Sequence, residues 1–195
     1  MGTGGGNAQY QICVSGAAKG QTVEKGRNLA EQLGAAIAKQ GLTLLTGATS
    51  GLPEYAATGY KKAGGQMSLG LSPAATKVEH VVKYRLPTDC YDAILYTGLH
   101  YGGRDALLIN AADAVVTIGG RLGTLHEFTI AAETHTPIGV LESAGGISAQ
   151  IENILKLLPN ADPELVIFEE QPDELIAKLT KLLDKIHRPY RDIYI

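Results

Sequence analysis

The chain has 195 residues, of which 45% are apolar, and a formal net charge of -3. This length suits a single domain, and the charge lacks the basic excess with which a dedicated nucleic-acid binder neutralises phosphates. The two cysteines, Cys13 and Cys90, form no CxxC motif, so neither a disulfide framework nor a thiolate metal site is indicated. No segment is long and apolar enough to span a bilayer. We predict a cytoplasmic protein that binds no metal, no extended nucleic acid and no membrane.

The two ends of the chain differ in composition from the part between them. The glycine-rich start has no basic region and no apolar run, so no signal peptide is expected, and residues 1–9 are interpreted as a flexible tail. Residues 10–187 contain no repeat and no low-complexity linker, which indicates one domain. Residues 188–195 form a C-terminal tail whose aromatic and cationic side chains either dock on a partner subunit or lie on the surface.

Short β-prone runs alternate with longer amphipathic stretches from Tyr10 onward, which is typical of repeated βα units. In chain order, the first half of the pattern predicts a strand at 11–14, a helix ending near 41, a strand at 42–45, a helix at 53–63, and strands at 67–69 and 94–96. The second half predicts a helix at 104–112, a strand at 114–118, a helix at 124–134, a strand at 138–141, a helix at 151–158, a strand at 165–168 and a helix at 172–186. This order predicts an α/β fold of the Rossmann-like, doubly wound class, with a mainly parallel sheet and helices on both faces.

Three turns that follow predicted strands are rich in small residues, at 15–18, 46–51 and 119–124. In open parallel sheets, ligands bind beyond the carboxyl ends of the strands, at the point where the strand order reverses. Glycines let the backbone approach a ligand closely, and the start of the following helix attracts an anion. Three such turns at one edge favour a phosphate-bearing, nucleotide-like ligand over simple tight turns. The predicted binding residues are Ser15, Gly16, Gly47, Gly51, Gly119, Gly120, Arg121, Gly123 and Thr124.

Several common classes of enzyme lack their motifs in this sequence. The first βα turn has no GxGxxG and the second strand ends without an acid for a ribose hydroxyl, which disfavours ordinary dehydrogenases. Walker A, GxSxG and a metal-type histidine spacing are also missing, so P-loop nucleotide hydrolases, nucleophile-elbow hydrolases and zinc hydrolases have no support.

The run from 112 to 127 contains the pattern GGxxGTxxE. It resembles the signature of the LOG-like proteins, often labelled "possible lysine decarboxylase", and of their molybdenum-cofactor-carrier relatives. Supporting matches, which together cover about residues 10–183, are the turn at 14–16, the turn at 46–51 with Glu54, and Arg104 before the signature strand.

The resemblance implies a Rossmann-like nucleotide-binding domain, usually a homodimer. In the cytokinin-activating members it implies a phosphoribohydrolase, which cuts nucleoside 5'-monophosphates into free base and ribose 5-phosphate without a required cofactor. The matched catalytic residues would be Glu127 and Arg104. The alternatives are a non-catalytic carrier of molybdenum cofactor and a nucleotide-sensing module. A lysine decarboxylase is not expected, because no Schiff-base lysine context for pyridoxal phosphate is identifiable.

The sequence departs from the hydrolases at three positions. Those proteins commonly carry PGGxGTxxE after an Arg-Lys pair, whereas this chain has Gly119 for the proline, Arg121 for the second glycine and Asp105 for the lysine. The first of these departures resembles the carrier-like branch.

Chemistry supports the implied roles, but each residue also has a structural interpretation. Breaking an N-glycosidic bond builds positive charge on the ribose, which a carboxylate such as that of Glu127 stabilises. The spacing Thr124-x-x-Glu127 equally fits a capping box, in which the glutamate only satisfies backbone donors. Arg104 either holds phosphate or a departing base, or is a solvent-facing residue at a helix start.

Glu54 follows Pro53 in a predicted first helical turn, where an acid is favoured by the helix dipole. A ligand contact and a purely structural role are both open for this residue. The five histidines form no visible cluster, so they are interpreted as structural.

Overall fold

The structure, a computed structural model, describes residues 10–193, with side chains as far as Tyr190. The predicted flexible tail at residues 1–9 lies outside the described residues. Within the predicted C-terminal tail, Arg188–Ile193 forms a 3-10 helical segment that directly follows the last α-helix.

Seven parallel strands form one sheet in the described part of the chain. They are β1 Gln11–Gly16, β2 Thr43–Thr46, β3 Ser68–Ser72, β4 Ala93–Tyr96, β5 Ala114–Ile118, β6 Ile138–Leu141 and β7 Val166–Glu169. Their order is β4-β3-β2-β1-β5-β6-β7, so the direction of winding reverses between β1 and β5, where Ser15 lies opposite Thr117. The predicted Rossmann-like, doubly wound fold is confirmed. Its reversal point marks the carboxyl ends of β1 and β5 as the expected ligand edge.

Six α-helices cover the two faces of this sheet within residues 10–193. They are α1 Gln21–Lys39, α2 Leu52–Lys62, α3 His100–Asn110, α4 Leu122–Glu133, α5 Ile151–Leu155 and α6 Pro172–His187. The apolar residues of α1, α2 and α6 pack with one another on one face, and those of α3, α4 and α5 pack on the other. Helices α3 and α4 contact each other on this second face, and α4 begins just after the carboxyl end of β5. None of the helices described has the length and apolar character that a bilayer crossing requires.

Several helix boundaries differ from the sequence predictions by a few residues, and three of the differences have a clear physical reason. Helix α3 begins at His100 rather than Arg104, and α4 begins at Leu122 rather than Thr124. Their first turns contain glycine, whose low helix propensity hides a helix start in the sequence. Helix α5 ends at Leu155 rather than near residue 158, shortly before Pro159, which cannot continue a helix.

The connection between β3 and β4 contains a π-helical turn, Glu79–Lys83, that the sequence pattern does not predict. His80 on this turn is fully buried. Its Nδ1 lies 2.8 Å from Ser72 Oγ and its Nε2 lies 2.9 Å from the carbonyl oxygen of Pro87. These bonds tie the connection to the end of β3, so the role of His80 is structural, as interpreted from the sequence.

Candidate functional site

A cavity of about 190 Å³ opens at the edge where the strand order reverses. Its walls come from the end of β1 and the turn after it, from the turn after β2 with the first turn of α2, and from the first two turns of α3 and α4. The buried residues Ser15, Arg104 and Glu127 form what we call the floor of the cavity. Tyr101 and Arg121, which also line the cavity, are exposed, so they form what we call its mouth.

The floor is held together by an ion pair and a hydrogen bond. Arg104 is only 3% exposed and Glu127 only 8%, so the interpretation of Arg104 as a solvent-facing residue is wrong. Nη1 of Arg104 donates to Oε1 of Glu127 at 3.3 Å, while the hydroxyl of Ser15 donates to Oε2 of the same carboxyl group. The two residues that the resemblance implies to be catalytic therefore contact each other at the end of β1.

Gly47 provides the space in which the Arg104 guanidinium lies. A Cβ at position 47 would stand 2.1 Å from Nη1 and 2.6 Å from Cζ of Arg104. Any side chain here would displace a buried cation from its carboxylate partners. The glycine of the second predicted turn thus serves the arginine as well as lining the cavity.

Asp105 and His126 extend this cluster, although the sequence analysis named Asp105 only as a departure from the hydrolase pattern and interpreted the histidines as structural. Asp105 is buried, and its Oδ1 lies 3.5 Å from Nη2 of Arg104. Its Oδ2 lies 2.7 Å from Nδ1 of His126, which is half-exposed. Each residue is a direct neighbour in sequence of Arg104 or Glu127, but their contact depends on how α3 and α4 pack together, so the sequence holds no local signal for the pair.

Burial raises the pKa of Glu127 from its ordinary 4.5 to about 7. Arg104 opposes this rise, whereas the neighbouring carboxylate of Asp105 adds to it. The single cation Arg104 is thus shared between the carboxylates of Glu127 and Asp105. With a pKa of about 7, Glu127 keeps its proton at acidic pH and loses it near neutrality. A carboxyl group with such a pKa can exchange a proton under ordinary conditions.

The N terminus of α4 faces the cavity without a side-chain cap. Arg121 occupies the capping position, so the backbone N–H groups of Leu122, Gly123 and Thr124 have no partner inside the helix. Thr124 is the third helical residue and not the cap, so the capping-box interpretation of Thr124 and Glu127 is wrong. Free donors and the positive end of the helix dipole make this end suitable for an anion.

Half of a capping box is found at α2. The carboxylate of Glu54 accepts the N–H of Gly51 at 3.3 Å, one half of the reciprocal capping pattern. Gly51 itself has a left-handed backbone, with φ of 85°, and does not line the cavity. Neither does Glu54. These two residues shape the start of α2, and the geometry gives them no direct part in the cavity.

The cavity walls contain eight of the residues predicted from sequence: Ser15, Gly16, Gly47, Arg104, Arg121, Gly123, Thr124 and Glu127. Gly119 and Gly120, which were also predicted to bind the ligand, do not line the cavity; their carbonyl oxygens accept hydrogen bonds from the backbone N–H groups of Ser148 and Ile147, respectively. The buried hydroxyl of Ser148 also donates to the Gly119 carbonyl at 3.0 Å. Ser148, which the sequence analysis did not identify, therefore fixes the turn that precedes α4. In the described part of the chain, no three His, Cys, Asp or Glu side chains come together as a metal site.

Comparison with known proteins assigns the chain to a family. Residues 9–176 match the model of the SLOG cluster4 family. The chain belongs to that family. An uncharacterized protein of Archaeoglobus fulgidus is 30% identical over 121 residues, which are 62% of this chain and 72% of that protein. The resemblance to LOG-like proteins drawn from the sequence is confirmed.

Two solved structures are similar over nearly the whole chain. The molybdenum cofactor binding protein of Rippkaea orientalis is 27% identical with a TM-score of 0.72, over 90% of this chain and 98% of that one. The molybdenum cofactor carrier protein of Chlamydomonas reinhardtii is 28% identical with a TM-score of 0.73, again over 90% and 98% of the two chains. The likeness to carrier proteins in the sequence analysis is confirmed as well.

Proposed function

We propose that this protein is a nucleoside 5'-monophosphate phosphoribohydrolase, which hydrolyses the N-glycosidic bond to free base and ribose 5-phosphate. The observation that supports it most is the contact between buried Glu127 and Arg104 on the cavity floor, beside the uncapped start of α4. No cofactor is required for this reaction, because water is the second substrate.

The phosphate group binds at the start of α4 in this proposal. Arg121, Gly123 and Thr124 line the cavity there, so the free N–H groups of the first turn, the Thr124 hydroxyl and the Arg121 guanidinium are the groups that would hold the phosphate. Thr124 and Glu127 are three residues apart and share one face of the helix, separated by about one turn, or roughly 5 Å. A phosphate bound at the first turn therefore directs its ribose towards Glu127.

Glu127 acts on the ribose in its ionised form. As the bond from the anomeric carbon to the base nitrogen breaks, its electron pair leaves with the base and positive charge develops on the ring, which the carboxylate stabilises. The oxygen of water then bonds to the anomeric carbon, and the proton that water loses is taken up by the departing base. Arg104, which also lines the cavity, contributes its positive charge, which favours a bound phosphate and the negative charge that develops on the departing base.

The change Glu127→Gln separates catalysis from binding. The amide keeps the shape of the side chain but not its charge, so adenine release from AMP should fall on the order of a hundredfold or more, while AMP affinity changes little. Arg104→Ala should weaken both binding and turnover, because its donors act on ground and transition states alike. Chromatographic assay of free adenine, with calorimetry for affinity, provides the measurement.

Thermal melting of the same variants provides the control for a purely structural role. A shifted melting temperature with unchanged turnover in Glu127→Gln would identify the residue as structural and refute its catalytic assignment.

Gly123 offers a test in which stability and binding should move in opposite directions. No atom lies within 4 Å of the place that a Cβ would take there, so alanine should stabilise α4 by up to about 1 kcal/mol. The added methyl group would crowd the approach to the first-turn N–H groups and should lower ribose 5-phosphate affinity by roughly tenfold. Urea unfolding and calorimetric titration measure the two effects.

Gly102→Ala is the matched control for this test. Gly102 also lies in the first turn of a helix with open space at its Cβ position, but it does not line the cavity. It should show the gain in stability with unchanged ribose 5-phosphate affinity. Wild-type affinity in Gly123→Ala would contradict the placement of the phosphate.

A carrier of molybdenum cofactor is the second candidate, favoured by the names of the two similar structures. A phosphorylated pterin would use the same start of α4 but would need no ionised Glu127. Incubation of the protein with AMP, GMP, CMP and UMP distinguishes the two functions. Release of any base supports the hydrolase, and binding without release supports the carrier.

We also propose that the protein is a homodimer joined through α3 and α4. Leu107 on α3 is 46% exposed and Leu122 on α4 is 81% exposed, although both are large apolar residues. A twin subunit would cover them close to the site. Light scattering at micromolar concentration should give twice the mass of the chain, and Leu107→Asp should shift it to the monomer; a wild-type monomer would contradict the proposal.

A further inference from the structure

Tyr101 is a wall residue of the cavity that neither the ion-pair cluster nor the start of α4 uses. It is the second residue of α3, and it is 47% exposed at the mouth. An aromatic ring that lines a cavity with half of its surface uncovered contributes little to the core. The same exposure leaves a flat apolar surface on the wall of the cavity that also contains the proposed phosphate position.

The ring of Tyr101 is supported from behind by a second tyrosine. Tyr84, in the connection between β3 and β4, meets it edge to face, with centroids 5.6 Å apart and planes at 79°. The hydroxyl of Tyr84 lies 2.7 Å from Nδ1 of His100, and Nζ of Lys83 lies 5.3 Å from the centroid of the Tyr84 ring. Tyr84 is thus itself held by two contacts, so the support of Tyr101 is fixed in orientation.

The backbone before Tyr101 is held in an uncommon conformation. His100 has a positive φ of 56°, which costs energy in a residue with a side chain. Its N–H donates to the carbonyl of Pro73 at 3.0 Å, and the N–H of Gly98 donates to that of Ala74 at 2.9 Å. These bonds anchor the start of α3 to the β3–β4 connection and set the direction in which the Tyr101 side chain leaves the helix.

The size of the cavity indicates what this ring meets. Sites that enclose a whole drug-sized ligand measure about 300 to 1,000 Å³, whereas this cavity measures about 190 Å³. It is large enough for a sugar phosphate placed between the start of α4 and Glu127. A heterocycle attached to that sugar must lie at the mouth, where Tyr101 is.

We propose that Tyr101 is an aromatic platform on which the planar bicyclic heterocycle of the ligand, purine or pterin, stacks while its phosphate lies at the start of α4. This proposal rests on the phosphate position of the proposed function but not on hydrolysis. Stacking does not involve the hydrogen-bonding edges of a base, so the affinity depends on the area of the ring system rather than on the identity of one base. Purine nucleotides therefore bind more tightly than pyrimidine nucleotides.

The experiment titrates wild type and Tyr101→Ala with ribose 5-phosphate, AMP and neopterin monophosphate. Loss of one stacking surface should lower the affinity for a heterocyclic ligand by roughly tenfold to a hundredfold. The affinity for ribose 5-phosphate should fall by less than about twofold. A loss of affinity for AMP identifies the heterocycle as a purine, and a loss of affinity for neopterin monophosphate identifies it as a pterin. Tyr101→Phe, which keeps the ring, should retain wild-type affinity. Tyr190→Ala, at an exposed tyrosine that does not line the cavity, should change none of the affinities.

Three results would contradict the proposed role of Tyr101 as a stacking platform. Equal loss for all three ligands would mean that Tyr101 only shapes the site, and unchanged affinity for both heterocyclic ligands would mean that the ring is not contacted. In both cases ribose 5-phosphate binds the wild type, and the phosphate position stands. If no ligand binds the wild type, the phosphate position is wrong and the platform fails with it.

Discussion

The site depends on one buried cation, Arg104, held between two carboxylates. Burying a guanidinium is costly unless its charge is paired, and here Glu127 and Asp105 provide the pairing while Gly47 provides the space. Since Arg104 lies on α3, Glu127 on α4 and Gly47 after β2, this single cluster locks three elements at the carboxyl edge of the sheet. The open start of α4 is positioned by the same arrangement.

The departure from the hydrolase pattern at Asp105 has a clear physical consequence. A lysine in this position would add a second cation, whereas Asp105 competes for Arg104, binds His126 and raises the pKa of Glu127. Burial is the main cause of the raised pKa of Glu127 and Asp105 adds to it, so an enzyme that needs the Glu127 carboxylate is limited to neutral and alkaline pH. A carrier is indifferent to the ionisation of Glu127. The ionisation state of Glu127 therefore affects the activity of a hydrolase but not the function of a carrier.

Local patterns were sufficient for the fold and for much of the site. Alternating strands and helices predicted the parallel sheet, and glycine-rich turns together with the signature pointed to Arg104, Glu127 and most of the cavity wall. The starts of α3 and α4 were hidden by glycines. Asp105 with His126, and Ser148 against Gly119, could not be predicted, because each contact depends on how separate segments pack together. Packing across the sheet edge leaves no short-range signal in the sequence.

The rate of adenine release from AMP as a function of pH tests the central claim most directly. The raised pKa means that Glu127 is neutral below about pH 7 and ionised above it, and only the ionised form can stabilise a cationic ribose. We therefore expect the rate to rise about tenfold per pH unit at acidic pH and to level off above about pH 7. A rate independent of pH across this range, or no adenine release at any pH, would contradict the account.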